Sequence, residues 1–136
     1  MITGDAKETA IAIGSQLGMQ NTQAMSGNEI DGLNDTQLSM NVVASSVFYR
    51  MTPQHKLRIV KCLQQVGHTV GMCGDGVNDA VALKKADIGI AMGMNGTDVC
   101  REASDMVLLN DDLLTIIPAI EEGKEHGHSN YDSYTI

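Results

Sequence analysis

The chain has 136 residues, 43% of them hydrophobic, which is the size of one domain and enough apolar material for an ordinary core. Its net charge of −8 and pI near 4.7 argue against a nucleic-acid partner, because phosphate backbones are held by clustered Lys and Arg that the chain lacks. Three cysteines without CxxC spacing suit reduced thiols in a cytosolic setting, and no run reaches the roughly 18 to 20 apolar residues that span a bilayer, so the chain as written reads as soluble.

Aromatic side chains are confined to Phe48, Tyr49, Tyr131 and Tyr134, so the core is expected from Ile, Val, Leu, Ala and nine Met. Met1-Ile2-Thr3 reads as the end of a strand, followed by a helix from about Asp5 to Leu17, with Gly18 as its stop. Residues 19–44 read as a connecting region of short helices. There Ser26-x-x-Glu29 matches a capping box, and Asp35 is placed to open a second short helix toward Val43. Ser46 to Arg50 reads as a strand. Thr52-Pro53 supplies an N-cap and a first-turn proline for a helix to about Val66, buried through Leu57, Val60 and Leu63 and ended by Gly67.

Thr69 to Cys73 is a short apolar run that breaks at Gly74-Asp75-Gly76, after which Asn78 opens a helix through about Ala86. The alternation repeats, with Ile88 to Met92 as strand, Thr97 to Ser104 as helix, Met106 to Leu109 as strand and Asp111 to Glu122 as helix, kinked by Pro118. Such alternation argues for an α/β fold with a parallel sheet, whose ligand-binding loops follow the carboxyl ends of the strands. The polar segment 125–136 is expected to be a disordered tail, and its His126 and His128 lack the further ligands of a metal site.

The sharpest local feature is Gly74-Asp75-Gly76-Val77-Asn78-Asp79, with two carboxylates four residues apart on a glycine-flanked turn between strand and helix. Two such carboxylates repel unless a cation sits between them, and hard oxygen ligands with room for water and phosphate suit Mg2+. The alternative is an ordinary acidic turn in which Asn78 or Asp79 caps the helix. A dinucleotide fingerprint lacks its third glycine, and a phosphate-binding loop of the Gly-Lys-Ser/Thr kind is absent.

Thr3-Gly4-Asp5 is placed to form a phosphate cradle from a hydroxyl and a backbone N–H, or else simply to cap the first helix. Lys56 lies near the start of its helix, where the positive end of the macrodipole disfavours a cation by roughly 0.3 to 1 kcal/mol. A fixed anion nearby would offset that. The alternative is a solvated lysine on an exposed face with Arg58 and Lys61.

Taken together, Met1 to Asp5, Phe48-Tyr49-Arg50 with Pro53-x-His55-Lys56, and GDGVNDAVAL from Gly74 to Leu83 resemble P-type cation-transporting ATPases of the haloacid-dehalogenase superfamily. The likeness continues through Ala86 to Gly93 and Gly96 to Val99 to about Lys124; TDVC-x-EA at Thr97 to Ala103 looks most like secretory-pathway (Golgi) Ca2+/Mn2+ pumps. The resemblance implies a Rossmann-like, haloacid-dehalogenase-like sheet over residues 1–124, the carboxyl-terminal and therefore incomplete part of a phosphorylation domain. It implies an ATP- and Mg2+-dependent parent enzyme that phosphorylates an aspartate and moves Ca2+ or Mn2+ across a membrane, with this domain facing the cytosol.

By the same resemblance Asp75 is the Mg2+ ligand, with Asn78 and Asp79 supporting phosphate and ion. Thr3 holds the phosphoryl group beside Gly4 and Asp5, Lys56 stabilises its charge, and Arg50 reaches nucleotide. The DKTGT motif bearing the family's nucleophilic aspartate does not occur in the sequence, so the isolated chain is expected to be inactive. After Glu121-Glu122-Gly123-Lys124 the sequence departs from the family's approach to a membrane helix, as a truncation, alternative splice end or gene-model error would. Two rival readings are a soluble phosphatase of the same superfamily, which would need an amino-terminal DxD pair, and a non-catalytic regulator that binds a partner through an unpaired sheet edge.

Overall fold

The computed structural model describes residues 1–16, 18–19, 23–112, 115–116 and 133–135. Where composition suggests a single folded unit, the chain divides into two compact units, Met1–Gly67 and His68–Ile136. All strand pairings in both are parallel.

The first unit contains helix α1 (Lys7–Gln16), strand β1 (Ala24–Ser26), helices α2 (Gly27–Asp31) and α3 (Asp35–Ala44), strand β2 (Val47–Tyr49) and helix α4 (Pro53–Gln65). β1 pairs with β2, and Ile2, read from the sequence as part of a strand end, forms an isolated bridge to Phe48, so the amino-terminal segment lies along β2. β1 was not anticipated in the connecting region. The helix starts follow their side chains: Ser26 with Glu29, Asn34 with Gln37 and Thr52 with His55 each form a reciprocal capping box. Such caps satisfy backbone N–H groups that have no partner within the helix. Pro53 stands at the first turn of α4, and Gly67, just beyond its end, has a φ of 92° that suits glycine.

The core of this unit is aliphatic with one aromatic, built on Ile30, Leu38, Val42, Val47, Phe48, Ile59, Val60 and Leu63. α4 buries His55, Ile59, Val60, Cys62 and Leu63, while Leu57 is only half-buried. The buried face is thus rotated from the expected Leu57-Val60-Leu63 row toward the positions that pack on α3.

The second unit contains β3 (Thr69–Gly74), a 3-10 turn at Val77–Asp79, α5 (Ala80–Lys85), β4 (Ile88–Met92), α6 (Asp98–Ala103), β5 (Met106–Leu108) and β6 (Ser133–Thr135). The sheet order is β5-β4-β3-β6. β3 is held by β4 over Gly71–Gly74 and by β6 over Thr69–Gly71. β6 comes from the segment read as a tail without structure; the rest of that segment, including His126 and His128, lies outside the described residues. So does most of the helix expected from Asp111 to Glu122, and Asp111 itself is left-handed, with φ 54°.

The parallel ladder is extended by two aspartates, each directly preceding a strand. Asp87 accepts the Val70 N–H at 2.8 Å and donates its own N–H to the Val70 carbonyl at 2.9 Å. Asp105 makes the same two bonds to Gly89, both at 2.8 Å. Each ties the entry of one strand to its neighbour and fixes the register that carries the loops at the carboxyl ends.

Candidate functional site

In the second unit the apolar strand β3 delivers Asp75 directly into the turn. Asp79, 6% exposed, folds back beneath the strand end. A Cβ at Gly74 would lie 2.6 Å from the Asp79 Cβ and 3.1 Å from its Cγ, so only glycine lets the carboxylate pack there. The Gly76 N–H points at Asp79 Oδ2 at 3.4 Å, and the Asp79 N–H donates to the Gly76 carbonyl at 2.9 Å. Asp75 and Asn78 are exposed. The two carboxylates therefore differ in kind, Asp79 being a buried member of the turn and Asp75 a carboxylate presented to solvent.

The same turn is held from the start of α6, which follows the loop 93–97. The Thr97 N–H donates to the Asp75 carbonyl at 2.9 Å, and the buried Cys100 thiol lies 2.8 Å from the Gly76 carbonyl. That loop is itself pinned: Arg101 Nη1 donates to the carbonyls of Gly93 at 2.9 Å and Gly96 at 2.6 Å. The Asp111 carboxylate accepts the N–H groups of Met94 at 2.9 Å and Asn95 at 2.8 Å. Those bonds, the one from Met94 foremost, hold the Asp111 carboxyl below its ordinary range. Cys73, at the end of β3, has its thiol pushed up to about 11 by burial, so it stays protonated at neutral pH and is neither nucleophile nor ready metal ligand.

Among the described residues, no group of three or more His, Cys, Asp or Glu gathers to hold a metal.

In the first unit Thr3 and Asp5 engage each other. The Thr3 hydroxyl donates to Asp5 Oδ2 at 2.7 Å, and the Asp5 N–H donates back to Thr3 Oγ1 at 3.1 Å. The Thr3 main chain is fixed against β2, donating to the Phe48 carbonyl at 2.9 Å and accepting from the Met51 N–H at 3.0 Å. Gly4 is exposed, as is Arg50. Arg50 has φ 53°, a left-handed conformation costing a non-glycine residue roughly 1 to 2 kcal/mol, and its N–H donates to the Asp5 carbonyl at 2.9 Å. Thr3, Asp5 and Arg50 thus converge at one end of β2.

Lys56 is half-buried in the first turns of α4, and its N–H donates to the Thr52 carbonyl at 3.1 Å. Lys61 is exposed, while the Arg58 guanidinium is committed to the carbonyls of Ile30 at 2.9 Å and Leu33 at 2.6 Å and to Asp35. His55 is the residue that the sequence left without a role. Its Nδ1 accepts the Thr52 N–H at 3.1 Å and its Nε2 meets Asp31 Oδ1 at 2.8 Å, locking the start of α4 against α2. The signal was the capping spacing Thr52-x-x-His55, which is read more readily when the third residue is Glu or Gln.

No protein-family model matches the chain. Individual relatives do. The human calcium-transporting ATPase type 2C member 1 is 60% identical over 126 residues, 91% of this chain. The human type 2C member 2 is 58% identical over the same length, and calcium-transporting ATPase 1 of Bacillus cereus is 48% identical. The chain belongs to the P-type cation-transporting ATPases. It spans 14% of the length of the human type 2C member 1 protein. Among solved structures, the catalytic domain of the CPx-ATPase CopB-B, studied for conformational changes upon nucleotide binding, matches with a TM-score of 0.64 and 29% identity. That match covers 88% of this P-type ATPase chain and 38% of the solved one. The α/β class and the parallel strand pairing agree with it, as the small size of both sheets agrees with a partial domain.

Proposed function

We propose that this chain is part of the haloacid-dehalogenase-like phosphorylation domain of a P-type Ca2+-transporting ATPase, and that its turn from Gly74 to Asp79 serves Mg2+ and phosphate. The observation that carries this reading is the division of labour between the two aspartates, Asp79 packed under Gly74 and Asp75 exposed on a backbone pinned from α6. Asp79 makes no side-chain cap to α5; its carboxylate lies against the Gly76 N–H at the opening of the 3-10 turn and so braces the loop that presents Asp75.

In this proposal Asp75 binds Mg2+ and Asn78 and Asp79 support the ion and phosphate. In the first unit Thr3, Gly4 and Asp5 bind the phosphoryl group, Lys56 offsets its charge, and Arg50 reaches nucleotide. When bound, Mg2+ neutralises charge on the phosphoryl oxygens. The parent enzyme hydrolyses ATP to move Ca2+, with Mn2+ a second cargo, across a secretory-pathway membrane of Golgi type, this domain facing the cytosol. The 136-residue chain contains no DKTGT aspartate and forms no phosphoenzyme by itself.

The test is a graft of the matched segment into the human type 2C member 1 protein, with and without Asp75→Asn, read as Ca2+-dependent ATP hydrolysis. The proposal expects hydrolysis from the first graft and loss of at least a hundredfold from the second. Equal activity in both would refute the assignment of Asp75.

A further inference from the structure

We propose that Cys100 and Thr97 are positioning residues for the acidic turn, acting as a latch on the backbone that presents Asp75; this rests on the Mg2+ reading above. Two bonds from one short segment reach consecutive carbonyls of the turn, Thr97 N–H to Asp75 at 2.9 Å and Cys100 thiol to Gly76 at 2.8 Å. Thr97 also joins the two bonds together, because its hydroxyl accepts the Cys100 N–H at 3.3 Å as the N-cap of α6. Cys100 is fully buried, so its thiol works within the protein interior, not on solvent.

The segment that bears the latch has little freedom to follow the turn. Arg101 holds the carbonyls of Gly93 and Gly96, and Asp111 holds the N–H groups of Met94 and Asn95. A side chain at Gly96 would fall on the Met92 carbonyl, and one at Gly93 would lie 2.6 Å from the Leu108 carbonyl, so the loop is pressed against β4 and β5. The chain of contacts therefore runs from β5 through this loop to the backbone at Asp75.

The thiol is a weak donor, second in strength to an N–H. The Gly76 carbonyl keeps a second partner, the Asp79 N–H at 2.9 Å, so removing the thiol loosens the turn without leaving that carbonyl unsatisfied. Cys100→Ala is accordingly expected to fold, and Cys100→Ser retains a hydroxyl donor at the same place. A role confined to packing predicts the opposite order, since serine puts an extra polar group into a buried apolar position.

The experiment titrates the 136-residue protein with Mg2+ alone, following the backbone amide resonances of Gly74 to Asp79 and of Thr97. It compares the unmodified chain, Asp75→Asn, Cys100→Ala and Cys100→Ser. Expected are binding to the unmodified chain that Asp75→Asn removes, a three- to tenfold weaker affinity for Cys100→Ala, and an affinity within twofold of the original for Cys100→Ser. The Thr97 amide should shift in step with Gly76. Unchanged affinity in Cys100→Ala, or a Thr97 amide that stays still while the turn responds, overturns the latch. If the unmodified chain takes up no Mg2+, the metal reading fails and the latch is decided without metal, by amide hydrogen exchange at Gly76 and Val77. Exchange about tenfold faster in Cys100→Ala than in Cys100→Ser supports the latch, and equal rates overturn it. Should Cys100→Ala not fold, protection of the Thr97 amide in the unmodified chain decides the matter, an unprotected amide being the adverse result.

Discussion

Replacing Gly74 by Ala should be the most disruptive single-methyl change in the second unit's acidic turn. The added Cβ would meet the Asp79 Cβ at 2.6 Å, about 1 Å inside the separation at which two carbon atoms attract. The strand end and the turn must part by that much. Neither is free to yield, because β3 is paired to β4 through Gly74 and the turn is bonded to Thr97 and Cys100. Overpacking of this kind costs about 1 to 3 kcal/mol. Gly76→Ala is the internal control: its nearest contact is the Asp79 carboxylate at 3.8 Å and its φ is −103°, so it should change stability by no more than about 0.5 kcal/mol. The assay is urea unfolding of the full chain, followed by the amide exchange of Val70 and Met72 so that the transition read is that of β3. Asp79→Ala retains the offending Cβ and should not rescue Gly74→Ala, whereas Asp79→Gly removes it and should recover most of the loss. Rescue by alanine, or equal effects of the two glycine replacements, would refute this reasoning.

In the first unit, Gly27→Ala places a Cβ 2.6 Å from the Arg50 carbonyl and 2.7 Å from the His55 ring. It should cost about 1 to 3 kcal/mol and broaden the His55 ring resonances, whereas unchanged His55 signals would show that the ring is not held there. Acid should release the loop at Met94 and Asn95. The folded-state pKa of Asp111 is depressed from its ordinary 3.8, so its contribution is present above 3.8 and lost as pH falls through the lower folded value. Amide shifts of Met94 and Asn95 followed from pH 5 to pH 2 should move below 3.8 and stay flat in Asp111→Asn; movement centred above 3.8 contradicts the assignment.

Much of this architecture was readable because its punctuation is chemical. Thr52-Pro53, Ser26-x-x-Glu29, Gly67 and the repeated strand-to-helix alternation after Thr69 each state a local constraint that the fold obeys. β1 escaped because Ala24-Met25-Ser26 is three residues with one buried side chain, too short for any period to show. The roles of Asp87, Asp105 and Asp111 escaped for a different reason. Each carboxylate binds backbone N–H groups 16 or 17 residues away, and backbone partners leave no residue type to recognise. The acidic turn was visible as a cluster, but the inequality of its two aspartates was not, since it arises from the missing side chain of Gly74.

Among the described residues, Gly71 is paired with β4 on one side and with β6 on the other. One residue earlier, Val70 is paired with Tyr134 of β6 and bonded through both its backbone groups to Asp87 at the entry of β4. The strand thus passes its hydrogen bonds from one neighbour to the other over Val70 and Gly71. A pull on β6 would reach the stretch that delivers Asp75 through two residues that Asp87 and β4 also hold.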